Sequence, residues 1–338
     1  MTKIGIIGCG FWAHYQVAAW LELDVEIIAV CDPDETKAKN LAEKFGIKKY
    51  YTRAKELLTH ENLDLVDIIT NPESHSELVL LAADHGVPVI CQKPMAMDLQ
   101  TAVKMVEYCS SKNVPFYIHE NFRWQAAMLR VKQILDEDII GQPFKSRIYF
   151  NTSFPVLKYQ PNLALLPQMI IADLGVHLFD LVRFFFGEAN LLFCRTQKIG
   201  TGFTGENVAN TFIETVSGVH CYVELSWASV VEYESFPQTL LYIEGTTGSI
   251  KLDKDYKLSV IKPDHLSNET VPIADYNWLH PEYKASQAAL VACNRDLLEA
   301  IVDNKKSGNR GDLNLKTLRM VYAAYESAES GEVVELTP

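Results

Sequence analysis

The sequence of 338 residues predicts an α/β domain on a doubly wound parallel sheet, then an α+β domain with a large, mostly antiparallel open sheet. Three observations carry this. Short apolar strands alternate with helices up to about residue 121. Beyond it, long strands follow one another without helices, joined by hairpin signals. The chain also opens on a strand, a glycine turn and a helix, Lys3–Ala13 (KIGIIGCGFWA).

The elements follow in order. Ile4, Ile6 and Ile7 make an apolar strand; Gly8-x-Gly10-x-x-Ala13 succeeds it, with a helix expected over Phe11–Leu21. The first glycine permits the tight turn, the second lets backbone approach a pyrophosphate, and the small third residue lets helix and strand pack closely. The helix start offers N–H groups and a positive dipole end to phosphates. A bland αβ turn or an S-adenosylmethionine site can imitate this triplet. The second strand, Val25–Cys31, ends in Asp32, about twenty residues on, where a ribose-binding carboxylate belongs. The expectation is a Rossmann dinucleotide site that includes Gly8, Gly10, Phe11, Trp12 and Asp32.

Asp34 is a plausible N-cap for a helix ending at Gly46. Further strands are expected at Lys49–Tyr51, Leu65–Ile69, Val87–Cys91 and Val114–His119, with helices at Arg53–Thr59, Glu73–His85 and Leu99–Ser111. The pattern then changes, so the boundary falls near residues 120–123, giving domains 1–121 and 122–338. In the second domain helices are expected at Trp124–Asp136, Ile170–Phe186, Glu282–Asn304 and Asn314–Ser330. Strands are expected at Phe144–Asn151, Leu191–Gln197, Asn207–Val216, Val219–Ser226, Gln238–Glu244, Ser249–Leu252 and Leu258–Ile261. Ser217-Gly218 and Gly245–Gly248 supply hairpin turns.

Composition sets limits. Hydrophobic content of 48% and charged content of 22% suit a globular protein with sizeable cores. A net charge of −12 argues against nucleic acid or an anionic membrane surface as partner. The seven scattered cysteines, without a C-x-x-C pair, read as buried thiols in a reducing, cytoplasmic compartment. The chain enters a strand directly and has no run of about 18 apolar residues, so neither a signal peptide nor a membrane span is expected.

In open α/β sheets, ligands sit at the carboxyl ends of strands. Those ends carry Thr70-Asn71-Pro72 with His75, then Gln92-Lys93-Pro94, then His119-Glu120-Asn121 with Arg123. Thr70, Asn71, His75, Gln92, Lys93 and Asn121 are therefore candidate cofactor contacts, though Asn71 and His75 can equally begin or cap a helix. Lys93-Pro94 is expected to form a fixed turn, with a cis peptide.

A second constellation lies on the apolar helix Ile170–Phe186. Asp173, His177 and Asp180 stand at i, i+4 and i+7 on one face. A buried polar stripe must be paired or used, because idle burial costs several kcal/mol. A satisfied core His–Asp pair is one reading. A metal is another, but no second cluster has ligand spacing, so none is expected. The third is an acid–base histidine beside a carboxylate. Arg123, Tyr149 and Tyr159 are further candidates for substrate contact, each of which can also be a packing or surface residue.

The glycine turn, the strand-end Lys93-Pro94 and the Asp173-x-Gly175-x-His177-x-x-Asp180 helix, in this order, resemble the glucose–fructose oxidoreductase / inositol dehydrogenase / rhizopine-catabolism (Gfo/Idh/MocA) family. The resemblance extends to Glu244–Ser249 and to Ala323–Ala328. It implies NAD(P)-linked oxidation or reduction of a sugar, cyclitol or related hydroxy compound. It places the catalytic lysine on Lys93 and the paired aspartate and histidine on Asp173 and His177. The same residues would contact substrate, and the open sheet would join a homodimer or homotetramer. Three departures stand out: Gln92 replaces a usual Glu, Asn71-Pro72 inverts the usual order, and Gln168–Ile171 replaces a glycine run. Asp32, with no arginine at the next positions, implies NAD rather than NADP. The rival readings are an NAD-dependent glycosidase that oxidises its sugar only transiently, and a non-catalytic dinucleotide sensor.

Overall fold

The computed structural model describes residues 1–158, 160–231 and 238–336, so Tyr159 lies outside the described residues. The chain forms two compact units. The first comprises residues 1–121, 275–280 and 287–316, and the remaining described residues form the second.

The first unit is built on six parallel strands: β1 Thr2–Ile7, β2 Val25–Cys31, β3 Lys49–Tyr51, β4 Leu65–Ile68, β5 Val89–Gln92 and β6 Phe116–His119. Their order is β3-β2-β1-β4-β5-β6, so chain direction reverses between β1 and β4 and opens a crevice at the carboxyl ends. β4, β5 and β6 are buried along their whole length. Covered on both faces, they read as apolar runs rather than alternations. The helices are α1 Ala13–Leu21, α2 Glu35–Phe45, α3 Ala54–His60, α4 His75–Asp84 and α5 Leu99–Ser111. Asp34 caps α2 through the N–H groups of Thr36 and Lys37, and Gly46 ends it in the left-handed conformation. α1 starts two residues later than expected, because Phe11 and Trp12 are still completing the glycine turn.

Residues 287–316, expected in the second domain, pack with the first unit. The physical reason is the edge of β6, whose backbone groups need partners. Ile118 donates its N–H to the Asn309 carbonyl at 2.8 Å, and Arg310 bridges to Tyr117.

His75, read as a cofactor contact or helix start, is fully buried at the head of α4. Its ring lies between two carbonyls, with Nδ1 at 3.0 Å from Pro94 O and Nε2 at 3.2 Å from Thr70 O. It ties the loop after β4 to the turn after β5. Burial, the largest influence, lowers its pKa against these hydrogen bonds.

The second unit carries a nine-stranded sheet: β7 Pro143–Asn151, β8 Ala189–Gln197, β9 Val208–Thr215, β10 His220–Ser226, β11 Leu240–Gly245, β12 Ser249–Asp253, β13 Lys257–Lys262, β14 His265–Thr270 and β15 Val334–Glu335. The order is β14-β13-β12-β11-β7-β10-β9-β8-β15, and among the described pairings only β7 with β10 is parallel. β14 carries no sequence signal, since all its residues are exposed and no apolar alternation marks it. α6 is Ala126–Asp136; a π-helical turn, Ile171–Gly175, runs into α7, Val176–Phe186. α8, Lys284–Val302, and α9, Gly311–Ser330, follow.

The helical segment lies on one face of this sheet. A Cβ on Gly175 would sit 3.2 Å from the Leu225 side chain. Leu225 pairs across to Phe150, and Val223 to Ile148, all buried. The other face shows Lys145, Arg147 and Tyr149, with ion pairs Lys145–Glu244 and Arg147–Glu224.

Within α7, Asp180 accepts Nε–H and Nη2–H of Arg123 at 2.7 and 2.5 Å, with both side chains buried. The Arg123 guanidinium also lies over the Phe184 ring. Arg123, expected among substrate contacts, is thus held inside the unit by the charge it neutralises.

Two consequences are measurable. Removing one side of a buried pair costs about 3–5 kcal/mol. Asp180→Ala should therefore lower unfolding stability by that order in urea titrations; a loss below about 1 kcal/mol would show the pair to be dispensable. For His75, the folded pKa lies below that of the unfolded chain, so the unfolded state takes up a proton that the folded state refuses. Stability from this residue is present above about pH 6.5 and falls as pH drops below it, by at most about 1.4 kcal/mol per pH unit. His75→Gln should flatten that slope between about pH 6.5 and 5; equal slopes in both proteins would refute the assignment.

Candidate active site

The glycine turn is fixed by close backbone contact. Gly8 has φ +104° and donates its N–H to Cys31 O at 2.7 Å. A Cβ there would stand 2.4 Å from the Ile69 carbonyl oxygen, which no side chain can do. Gly10 is different: a Cβ on it would meet nothing within 4 Å. Its lack of a side chain leaves open space at the head of α1, and no side chain caps that helix. This is the geometry a pyrophosphate needs. At the end of β2, the Asp32 carboxylate accepts the N–H groups of Cys9 and Asp34, each at 2.9 Å. Two backbone donors therefore aim it from the glycine turn and from its own loop. These features fit a dinucleotide held by Gly8, Gly10, Asp32 and the start of α1. Phe11 is exposed and Trp12 half-buried beside it.

Further along the same strand edge, Thr70 is half-buried and Asn71 exposed, and Ser74 Oγ donates to the Asn71 carbonyl and meets Thr70 Oγ1. The Lys93–Pro94 peptide is cis, as expected, and Lys93 is half-buried. The turn is held from two sides: His75 engages Pro94 O, and Lys93 N–H points to Gln92 Oε1 at 3.3 Å. Behind Gln92 stands a buried polar chain that sequence reasoning missed. Gln92 Nε2 donates to Gln16 Oε1, and Gln16 Nε2 donates to Asp67 Oδ2 at 2.6 Å. Trp20 Nε1 donates to the same oxygen at 2.8 Å. Asp67 is wholly buried; burial pushes its carboxyl up, against the pull of His119 and these two donors. The signal was present, for a carboxylate inside the apolar strand Leu65–Ile69 must find partners. Asn121, two residues past β6, is buried.

In the second unit the polar stripe of the helix divides. Asp180 belongs to Arg123. His177 is buried, with its ring stacked on Phe122 at 3.8 Å between centroids and 5° between planes. That contact fixes the plane of the imidazole, and nothing in the sequence signalled it. Asp173 is half-buried within the π turn, two residues past its start at Ile171. Tyr149, expected at the substrate, lies on the opposite face of the sheet from this helix, because it pairs with Glu224 and not with the Leu225–Phe150 rank. There it stacks under Arg147 and lines a cleft of about 400 Å³ with Asn151, Gln238 and Asp253. All seven cysteines are buried without disulfides, and burial pushes Cys9 and Cys31 up to about 12. Among the described residues no group of three or more His, Cys, Asp or Glu could hold a metal ion, and no helix is long and apolar enough to cross a membrane.

Comparison with known proteins agrees with the geometry. A family profile described as oxidoreductase family, NAD-binding Rossmann fold, matches residues 2–120, and the GFO/IDH/MocA C-terminal domain matches residues 128–251. D-apiose dehydrogenase from Paraburkholderia graminis is 39% identical over 99% of this chain and 89% of its own length. D-apiose dehydrogenase from Rhizobium rhizogenes is 37% identical over 99% and 98%. Among solved structures, an oxidoreductase from Agrobacterium radiobacter, in complex with NAD+, L-tartaric acid and magnesium, superposes with TM-score 0.97 at 37% identity, covering 99% of this chain and 98% of that one. A glycine cradle at the head of α1, a strand-end carboxylate beside it and full-length similarity in both units lead to one conclusion: the chain belongs to the GFO/IDH/MocA family of oxidoreductases, with an NAD-binding Rossmann domain.

Proposed function

We propose that the protein is an NAD-dependent dehydrogenase that oxidises a carbinol carbon of a small sugar of the D-apiose type. The observation that carries this is the open cradle at Gly10 beside the oriented Asp32, in a chain similar over nearly its whole length to D-apiose dehydrogenases. Bound NAD supplies the hydride acceptor. His177 takes the hydroxyl proton as the carbon–hydrogen bond gives up its hydride, leaving a carbonyl. The Phe122 stack keeps the imidazole plane constant during that transfer. Asp173 orients the active-site pair and receives a neighbouring hydroxyl. Lys93 hydrogen-bonds the reacting oxygen and stabilises negative charge on it. Net oxidation is favoured over transient oxidation by a glycosidase, because these relatives similar over the full chain are named dehydrogenases.

NAD is preferred over NADP in this reading. A 2′-phosphate would meet the Asp32 carboxylate, and the nearby cation, Lys37, stands 3.9 Å from Asp34. We also infer a homo-oligomer joined through the outward face of the nine-stranded sheet, where Tyr222 is exposed, edge-on to Phe212, beside the paired charges.

A positioned general base contributes about 10²–10⁴-fold in rate. With D-apiose and NAD, followed by NADH absorbance, His177→Ala should lower kcat by that order and leave NAD affinity nearly unchanged. A kcat within a few-fold of the wild type would make the histidine structural. Absence of stoichiometric NADH would sink the dehydrogenase reading, and a higher kcat/KM with NADP the cofactor reading. Light scattering of the purified protein should give a mass of two or four chains; a monomer would exclude the sheet-face assembly.

A further inference from the structure

The head of the Asp173–His177 helix is capped from far away in sequence. The first backbone N–H groups of a helix lack partners within it. Here consecutive N–H groups from Met169 to Ala172 all find acceptors on two residues. Glu206 takes the Met169 N–H on its carboxylate oxygens at 3.0 and 3.1 Å, and the Ile171 N–H at 3.2 Å. Its own backbone carbonyl takes the Ile170 N–H at 3.3 Å. The Tyr325 hydroxyl takes the Ala172 N–H at 3.1 Å and donates to Glu206 Oε1 at 2.7 Å. Asp173 is the next residue, and its N–H turns inward to Met169 O at 2.9 Å.

The loop is shaped for this. A Cβ on Gly205 would stand 2.6 Å from Leu166 O and 2.7 Å from Pro167 O, so only glycine lets Glu206 come this close. The carboxylate at a helix start is also favoured by the helix dipole. Burial, then the Glu206 charge, pushes the Tyr325 phenol well up, so it stays a donor.

What the cap holds is a π turn, which is rare and less regular than α-helix. The turn carries Asp173, and His177 lies just beyond it. An extra residue in the turn rotates the segment before it against the segment after it. The face shared by Asp173 and His177 thus depends on how the turn is closed.

We infer that Glu206 and Tyr325 are positioning residues that lock the π turn and thereby set Asp173 against His177. This rests on the reading of His177 as the acid–base residue. A misplacement of about 1 Å in an active site can cost about 10²-fold.

The test uses the full chain carrying Glu206→Ala, Glu206→Gln or Tyr325→Phe. Steady-state rates with D-apiose and NAD are paired with ¹⁵N-histidine NMR of the His177 ring against pH. Glu206→Ala should lower kcat by about 10–10²-fold with KM for NAD within about twofold, and should move the His177 titration. Glu206→Gln, which keeps an acceptor oxygen, should recover most of the rate and the wild-type titration. Tyr325→Phe should fall between. If Glu206→Ala does not fold, the other two variants carry the comparison: a Tyr325→Phe protein with unchanged kcat and His177 titration overturns the inference. So does a folded Glu206→Ala protein that behaves as wild type, or a Glu206→Gln protein as impaired as Glu206→Ala. Should the wild type oxidise no sugar, the proposed function fails by itself, and the His177 titration still decides the role of the cap.

Discussion

The second unit depends on one electrostatic constraint: a helix that is almost wholly apolar carries a carboxylate that cannot be left alone. Asp180 is 1% exposed, and the guanidinium of Arg123 answers it through two hydrogen bonds. That pairing anchors the chain just after β6. Its neighbour Phe122 then comes to rest flat on the His177 ring. A structural ion pair and a stacked imidazole are therefore consecutive contacts of one short segment. Charge satisfaction sets the first, and the second comes from chain connectivity.

In the first unit the corresponding constraint is backbone proximity. Gly8 lies against the Ile69 carbonyl with no room for a methyl group, which brings the loops after β1 and β4 together. The next loops are tied in turn. His75 joins the β4 loop to the β5 turn, and Gln92, through Gln16, joins that turn to Asp67 and α1. Gln92 has an amide where the family usually has a carboxylate. The amide can donate to Gln16 as well as accept from Lys93, which a carboxylate cannot. The acceptor at the buried end of the chain is Asp67, one strand over.

Much of this was legible in the sequence, and the limits are physical. Periodicity and capping gave the parallel unit nearly whole, because its strands are apolar runs bounded by glycine and by caps such as Asp34. Gly8, Asp32 and Lys93 could be placed because a strand's last residue fixes which edge its loop occupies. The surroundings of Arg123 and Tyr149 could not be read because burial partners and sheet faces are tertiary facts. Arg123 looked like a loop cation until Asp180 claimed it, and Tyr149 differs from its buried neighbours only by strand parity. Glu206 and Tyr325 were silent, since acceptors for four successive N–H groups come from segments more than a hundred residues apart. His265–Thr270 was missed because a strand exposed on every residue leaves no pattern to read.

The cysteines have a practical consequence. Cys9, Cys31, Cys91, Cys109 and Cys293 lie inside the first unit, and Cys194 and Cys221 inside the second. A thiol that is buried and held protonated reacts with an alkylating reagent only when its surroundings open. The chain thus carries natural reporters of local unfolding in each unit, with no residue needing to be introduced. Labelling rates resolved by peptide would give the opening free energy of the nucleotide-binding sheet separately from that of the large mixed sheet. Differences between them would show which unit is first to loosen on the path to inactivation.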